Sequence, residues 1–142
     1  MKNSFLVVDD DADDRELFSE ALASVDSQIS CEFAENAEDA LNRLGGNGGL
    51  KPDLIFLDIN LPGMSGWQCL TQLKKTQEHR DIPVIMYSTS SHDRDREIAS
   101  DLGAISFITK PSEYKLLIEV LSAVVSHCRN GELDRLNGHL KS

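Results

Sequence analysis

The stretch LIFLD, at residues 54–58, is a short apolar run that ends in a carboxylate. Three other apolar runs also end in polar groups: FLVVDD at residues 5–10, VIMYS at 84–88 and ISFITK at 105–110. In an open α/β sheet, functional groups gather outside the carboxyl ends of parallel strands. Four strands of this kind would bring acids, a hydroxyl and an ammonium together. The sequence therefore predicts one functional site at these strand ends.

Short apolar runs alternate with segments of helical period, which is typical of successive βα units and a parallel sheet. We predict strands near residues 4–9, 29–34, 53–58, 83–88 and 104–109. We predict helices near residues 12–25, 37–44, 66–77, 91–102 and 112–128. Ser65 is the expected N-cap of the third helix, because its hydroxyl can accept a hydrogen bond from a free backbone N–H.

Three of these helices have apolar faces that predict how they pack. Leu17 is expected on the buried face of the first helix, and Leu116 belongs to the fifth helix, which has the strongest apolar stripe. The fourth helix is mostly polar and offers only Ile98, Ala99 and Leu102. A helix with so little apolar surface should be weakly anchored, and it is a candidate for movement.

The size of the chain favours one domain. It has 142 residues, of which 40% are hydrophobic, and we assign 1–128 to this domain and 129–142 to a tail without an output domain. In the tail, Leu133, Leu136 and Leu140 could form one or two further amphipathic turns. The 24 acids exceed the 14 bases, and no stretch concentrates Lys and Arg, so we expect no binding to nucleic acid.

The sequence also lacks signals for export or metal binding by cysteine. No apolar stretch reaches the ~20 residues of a membrane span, and the first residues lack a signal peptide, so we expect a cytoplasmic protein without a membrane partner. Cys31, Cys69 and Cys128 are odd in number and lack C-x-x-C spacing, which predicts reduced, mostly packed thiols. The glycine-rich residues 45–49 follow a helix and lack the Lys-Ser/Thr ending of a P-loop, so we interpret them as a surface loop.

The predicted site has an excess of carboxylates. Asp9 and Asp10 end the first strand, and Asp58 should face them from the neighbouring strand. Two carboxylates at 4 Å repel by ~4 kcal/mol at an effective dielectric of 20, so the cluster requires a cation. Oxygen-only ligands in a site open to solvent favour Mg²⁺.

Asp58 is the best nucleophile in this group, because it stands alone at its strand end while Asp9 and Asp10 share the metal. Carboxylates form aspartyl phosphates when the phosphoryl group is positioned and its charge is neutralised. Lys110 would supply a second positive charge, and Ser88 would donate a hydrogen bond to a phosphoryl oxygen. We interpret the acids at 13–14 as the start of the first helix, where the dipole favours negative charge.

Several motifs resemble the receiver domain of bacterial two-component response regulators over about residues 4–126. They are VVDDD at 7–11, DINLPGMSG at 58–66, PVIMYS at 83–88, GA at 103–104 and FITKP at 107–111. The resemblance implies a flavodoxin-like (βα)5 fold with strand order 2-1-3-4-5, as in the chemotaxis regulators. It also implies a signalling phospho-acceptor, not an enzyme, which catalyses only its own phosphorylation and dephosphorylation.

By this resemblance, Asp58 receives a phosphoryl group from a sensor histidine kinase or a phosphotransfer protein. Asp9, Asp10 and Asp58 hold Mg²⁺ together with the backbone carbonyl of Asn60. Ser88 occupies the family's Ser/Thr switch position and Phe107 its aromatic switch position. The implied response is an inward movement of both side chains, which changes the surface of helix 4, strand 5 and helix 5 and so reaches a downstream protein target.

The chain departs from the common family pattern in two places. The loop at 45–49 lengthens the connection before the third strand, and Phe107 lacks the phenolic hydroxyl that many relatives carry. In its long loop and its lack of an output domain, the chain resembles single-domain regulators paired with bacterial phytochromes. These relatives often dimerise through the switch face, so a homodimer is a further expectation.

Three other classes fit less well. A haloacid-dehalogenase-type phosphatase would use Asp9 as its nucleophile, but Asp13 stands where its motif has Thr or Val, and Asp58 would have no role. The acids at 9–20 match four EF-hand positions, but Asp14 replaces the glycine of the sharp turn. A degenerate receiver that binds partners without phosphorylation usually lacks the acceptor or the metal acids, and both are present here.

Overall fold

Five parallel strands form one sheet in the computed structural model, which describes residues 3–45, 48–133 and 136. The strands are β1 Ser4–Val8, β2 Ser30–Ala34, β3 Leu54–Leu57, β4 Val84–Ser88 and β5 Ser106–Thr109. Their order is β2-β1-β3-β4-β5, and every neighbouring pair is parallel. The predicted flavodoxin-like α/β fold and its strand order are therefore confirmed.

Helices alternate with these strands along the described chain. They are α1 Ala12–Val25, α2 Ala37–Leu44, α3 Gly66–Lys75, α4 Asp93–Asp101 and α5 Tyr114–Arg129. The predicted bounds of the first two are confirmed, and those of the other three differ by one or two residues at their ends, where helices fray. The predicted N-cap of α3 is confirmed: Ser65 accepts from the backbone N–H of Gln68, whose side chain accepts from the N–H of Ser65.

The sheet separates two hydrophobic layers, because successive side chains of a strand point to opposite faces. On β1, Phe5 and Val7 pack with α1 and α5, whereas Leu6 and Val8 pack with α2, α3 and α4. β1, β3 and β4 are buried on both faces apart from the half-buried Ser4. This explains why they appear in the sequence as continuous apolar runs without alternation.

Two leucines lie outside the core, contrary to the prediction. Leu17 of α1 is 45% exposed and Leu116 of α5 is 43% exposed. Each stands immediately before a buried residue of its helix, Phe18 and Leu117. Because consecutive residues lie 100° apart around a helix, the buried stripe reaches one neighbour and leaves the other at its edge.

Helix α4 is held by little apolar contact. Of its residues, all of which the structure describes, only Ala99 is buried, while Ile98 is half-buried. His92 at its N-cap makes no side-chain capping bond. The small apolar contact of α4 agrees with the sequence prediction, and its movement stays a prediction.

The C-terminal segment and the glycine loop are partly described. Leu136 is buried against the α1 and α5 layer, and Leu133 packs beside it. Leu140 lies outside the described residues, as do residues 46–47 of the glycine loop. None of the described helices is both long enough and apolar enough to cross a bilayer.

The packed thiols allow a labelling prediction. Cys69 is buried, whereas Cys31 and Cys128 are half-buried. Burial raises the pKa of Cys31 to about 12 and that of Cys69 to about 11, and it also raises the pKa of Cys128. Because the thiolate is the reactive form and a raised pKa removes it at pH 8, we expect Cys31 and Cys69 to react with iodoacetamide on the order of a hundredfold more slowly than a free thiol. Mass spectrometry of the folded protein checks this, with urea-unfolded protein as the control. Equal rates in both samples would contradict the packing.

Candidate functional site

The carboxyl ends of the strands carry the predicted groups to one edge of the sheet. The backbone N–H of Asp58 donates to the carbonyl of Val8 at 3.1 Å, which continues the β1–β3 pairing and sets Asp58 beside Asp9. The backbone N–H of Lys110 donates to the carbonyl of Ser88 at 2.7 Å and sets the end of β5 beside that of β4. The register of the sheet, rather than any loop, positions these residues.

The Lys110 ammonium lies between two buried carboxylates. Its Nζ is 2.8 Å from Asp9 Oδ2 and 3.0 Å from Asp58 Oδ2. The side chains of Asp9, Asp58 and Lys110 are 2%, 9% and 9% exposed. At this burial an ion pair is weakly screened by water, so removing one partner leaves an uncompensated charge.

A third carboxylate reaches the same ammonium and was not predicted to belong to the site. Asp14 Oδ2 lies 2.9 Å from Lys110 Nζ. The predicted start of the first helix is confirmed, since Asp13 and Asp14 lie in the first turn of α1 and donate their backbone N–H groups to the side chain of Asp11. Side chains of a first turn point back toward the helix N-terminus, which here adjoins the end of β1. This direction brings the Asp14 carboxylate to the edge of the sheet where Lys110 lies.

Burial and hydrogen bonding shift the pKa values of the site in ways that follow from this geometry. Burial raises the pKa of Asp9, and hydrogen bonds from Lys110 and from the backbone N–H of Asp11 offset this only in part. Burial lowers the pKa of Lys110, but its hydrogen bonds to Asp9, Asp14 and Asp58 outweigh this and raise the pKa overall. Lys110 therefore stays charged throughout the physiological range.

Asp9, Asp10 and Asp58 have the arrangement of a divalent metal site. One carboxylate oxygen from each residue lies within 4.8 Å of the other two. Asp10 is exposed, so water has access to one side of the cluster. An all-oxygen ligand set that is open to water on one side suits a hard cation that keeps several waters, such as Mg²⁺ or Mn²⁺.

The β3–α3 loop is fixed close to the acids. The backbone N–H of Asn60 donates to Asp58 Oδ1 at 3.3 Å, and that of Gly66 donates to the carbonyl of Ile59 at 2.8 Å. From α2, Glu38 Oε1 accepts from the backbone N–H of Met64 at 3.0 Å. These contacts hold Asn60 next to the Asp58 carboxylate, while the role of its carbonyl as a metal ligand stays a prediction.

Ser88 and Phe107 lie on neighbouring strands, and both are buried. Ser88 is completely inaccessible to solvent, and its Oγ accepts from the backbone N–H of Ser90 at 3.3 Å. Phe107 is 6% exposed and packs in the layer formed with α2, α3 and α4. The structure places both where the sequence predicted, on β4 and β5, and their switching roles stay predictions.

Tyr87 connects the site to the aromatic core. Its ring meets those of Phe18 and Phe56 edge to face, with centroids 5.7 and 6.0 Å away. On the side of the acids, Lys110 Nζ lies 5.5 Å from the centre of the same ring. Burial raises the pKa of the Tyr87 phenol, so it is neutral at physiological pH.

Replacing Lys110 with alanine should reveal how the acids depend on a cation. Without Lys110, Asp9 and Asp58 are buried without a countercharge, and we expect the free energy of unfolding in chelator to fall by about 3 kcal/mol. Mg²⁺ should restore most of this loss and should bind about tenfold more tightly than to the unchanged protein, because the competing charge is gone. Urea unfolding and calorimetric titration measure both effects.

Lys115→Ala is the matched control, because Lys115 is exposed on α5, and it should change neither quantity. Equal stability of Lys110→Ala and Lys115→Ala in chelator would show that Lys110 does not neutralise the acids.

Taken with the fold, the acidic cluster and its lysine define a class of protein. Residues 5–122 match the family described as the response regulator receiver domain. The chain belongs to this family, which confirms the resemblance seen in its motifs. It is a signalling phospho-acceptor with an acidic pocket of Asp9, Asp10 and Asp58 and the nearby Lys110, and the family implies a histidine kinase partner.

Curated relatives include regulators longer than this chain. The phosphate regulon transcriptional regulatory protein PhoB of Escherichia coli (strain K12) is 38% identical over 125 residues, which cover 88% of this chain and 52% of PhoB. Protein PilH of Pseudomonas aeruginosa is 36% identical over 76 residues, 54% of this chain and 63% of PilH. The chain thus spans about half the length of the PhoB relatives that it matches.

Solved structures include regulators of phytochrome systems. The phosphorylated cyanobacterial phytochrome response regulator RcpA is 27% identical with a TM-score of 0.84, covering 92% of this chain and 96% of RcpA. The Mn²⁺-bound response regulator Rcp1 is 26% identical with a TM-score of 0.78, and the match covers 87% of this chain and 92% of Rcp1. The acid cluster therefore occurs here in a fold for which a metal-bound relative exists.

Proposed function

We propose that Asp58 accepts a phosphoryl group from a sensor histidine kinase or a phosphotransfer protein. The observation that carries this proposal is the position of Lys110, whose Nζ lies 2.8 Å from Asp9 Oδ2 and 3.0 Å from Asp58 Oδ2. Asp10 lies at the open side of the same pocket. The site offers one nucleophilic oxygen, ligands for a divalent cation and a fixed ammonium. Phosphoryl transfer requires these three components.

In the proposed reaction, an oxygen of Asp58 forms a bond to phosphorus while the bond between phosphorus and the donor nitrogen breaks. The donor imidazole leaves with the electron pair of that bond and takes a proton from solvent. Lys110 then exchanges a carboxylate partner for a phosphoryl oxygen, and Ser88 donates its hydroxyl hydrogen to another. The chain catalyses this transfer and the later hydrolysis of its own acyl phosphate, and no other reaction.

Asp9, Asp10 and Asp58, together with the carbonyl of Asn60, would hold the metal, which we propose to be Mg²⁺. When bound, the ion neutralises the acids and the oxygens of the transferred group. Asp9 and Asp58 each have one oxygen, Oδ2, within 3.0 Å of Lys110 Nζ, so both lie in the inner part of the pocket. Asp10 is exposed and would complete the ligand set from the solvent side.

The output step of the proposal involves Ser88 and Phe107. Movement of Ser88 toward the phosphoryl group would vacate space beside β5, and Phe107 would settle into that space and change the face formed by α4, β5 and α5. A downstream protein would recognise this face. A homodimer through the same face is part of the proposal, and light scattering with and without a phosphoryl mimic would test it.

The similarity to RcpA and Rcp1 supports a phytochrome-type kinase as the donor. The domain boundary at residue 128 stays a prediction, as does the location in the cytoplasm. The long glycine connection before β3 is one of the sequence features that indicate this subgroup.

Incubation with phosphoramidate and Mg²⁺ tests the proposal. We expect intact-mass spectrometry to show one added phosphoryl group, which hydroxylamine removes because it attacks acyl phosphates. Chelator should prevent the addition, since the acids then lack their cation. A protein that stays unmodified at saturating Mg²⁺ would contradict the function.

A further inference from the structure

We propose that Arg96 is a positioning residue that couples the hydroxyl of Ser88 to helix α4 and holds the ring of Phe107 in place. This inference rests on the proposed function, because it assigns the route by which a change at Asp58 reaches α4. It goes beyond that function by naming a side chain for which the sequence motifs gave no signal.

Arg96 makes three contacts with β5. Its Nη1 donates to the carbonyl of Phe107 at 3.2 Å, and its Nη2 donates to Thr109 Oγ1 at 3.1 Å. Its guanidinium carbon also lies 5.1 Å from the centre of the Phe107 ring, which is the geometry of a cation–π contact. One side chain of α4 thus contacts both the switch aromatic and the residue before Lys110.

A short chain of hydrogen bonds connects these contacts to Ser88. Thr109 Oγ1 donates to the carbonyl of Ser90 at 2.8 Å, and the backbone N–H of Ser90 donates to Ser88 Oγ at 3.3 Å. If Ser88 Oγ turns toward a phosphoryl oxygen, Ser90 loses this acceptor. The displacement of Ser90 then acts on Thr109, and through Thr109 on Arg96.

The same loop is tied to the start of α4 independently of Arg96. Ser90 Oγ donates to Asp95 Oδ2 at 2.5 Å and accepts from the backbone N–H of His92 at 3.3 Å. Ser90 therefore contacts α4 through Asp95 and β5 through Thr109. A movement of this one residue reaches both elements of the switch face.

Arg96 can influence α4 because apolar contact anchors that helix only weakly. Ala99 is the only buried residue of α4, a helix that the structure describes throughout, so polar contacts to β5 form a large part of its attachment. Phe107 has no hydroxyl with which to form a polar link of its own. The guanidinium supplies that link from the neighbouring helix, since it offers several donors in a rigid fork together with a flat face for the ring.

The test uses nuclear magnetic resonance on the full chain with Mg²⁺ and beryllofluoride as the phosphoryl mimic. In the unchanged protein we expect shifts at the amides of Ser88 and Thr89 and at those of α4. Arg96→Gln should keep the shifts near Ser88, which also show that the variant is folded. It should reduce the shifts at residues 96–101 of α4 at least about threefold, because the contact of Ser90 with Asp95 lies in the first turn of the helix. Full α4 shifts in Arg96→Gln would overturn the inference.

Two further variants test whether the guanidinium geometry of Arg96, and not merely a positive charge on α4, is required. Arg96→Lys keeps the charge but cannot bridge Phe107 and Thr109, so it should behave like Arg96→Gln; a response like that of the unchanged protein would overturn the role of the fork. Arg94→Gln, on an exposed residue of the same helix, should respond like the unchanged protein. A loss of α4 shifts in Arg94→Gln equal to that in Arg96→Gln would also overturn the inference.

The outcomes distinguish this inference from the proposed function. If beryllofluoride changes no amide of the unchanged protein, including those beside Asp58, the proposed function fails. If Ser88 and α4 respond in every Arg96 variant, the proposed function stands and the coupling role of Arg96 fails.

Discussion

Asp58→Asn is expected to lower phosphoryl incorporation from phosphoramidate by at least about a hundredfold. The amide is a far weaker nucleophile than the carboxylate, and its neutral side chain also removes one ligand charge from the metal site. Intact-mass spectrometry after a fixed incubation with Mg²⁺ measures the effect. Asp101→Asn is the matched control, because Asp101 is exposed on α4, and it should be labelled normally.

Asp9→Asn distinguishes the two nucleophiles that the sequence allowed. In a receiver, the loss of Asp9 slows labelling because the cation binds less well, but peptide mapping still finds the phosphoryl group on residue 58. The opposite pattern, in which labelling persists in Asp58→Asn and disappears in Asp9→Asn, would assign the nucleophile to Asp9. The protein would then act as a phosphatase of the haloacid dehalogenase type.

Gly66→Ala is expected to destabilise the fold by about 3 kcal/mol or more, because the added methyl group has no room. A Cβ at residue 66 would collide with the carbonyl oxygen of Asp58 and lie 2.7 Å from the Cα of Ile59. Both are backbone atoms, so no side chain can turn aside. Since the backbone of Asp58 must move, we also expect weaker Mg²⁺ binding. Urea unfolding and calorimetric titration measure the two effects.

Gly131→Ala provides the comparison for this prediction. Gly131 has a φ of +69°, and a methyl group there would have no described atom within 4 Å, so alanine meets only backbone strain. That strain costs about 1–2 kcal/mol. A Gly66 variant no less stable than the Gly131 variant would show that α3 can retreat from Asp58 at little cost.

The parts of the site that lie on strands could be predicted from the sequence. LIFLD and FLVVDD each place an acid directly after a buried strand, and parallel strands end at the same edge of a sheet. The positions of Asp9, Asp58 and Lys110 therefore follow from the order of apolar runs. The buried faces of the helices were predicted less well, since Leu17 and Leu116 lie at the edges of their stripes.

The parts contributed by helices could not be found in this way. Asp14 belongs to an acidic run that is fully explained by the start of α1, and its contact with Lys110 depends on how α1 is aimed at the sheet. Arg96 lies in a polar helix among other charged residues, and nothing in that pattern singles out the one that faces β5. Contacts of this kind depend on tertiary geometry.

The position of Tyr87 gives the protein a built-in optical signal. Of its two tyrosines, Tyr87 is buried beside the Lys110 ammonium, whereas Tyr114 is exposed on α5. If the ammonium moves toward a phosphoryl group on Asp58, as proposed, the electric field across the buried ring changes, while the exposed ring stays in water. Ultraviolet difference spectroscopy at the phenol band would thus follow turnover in real time, without dye or isotope.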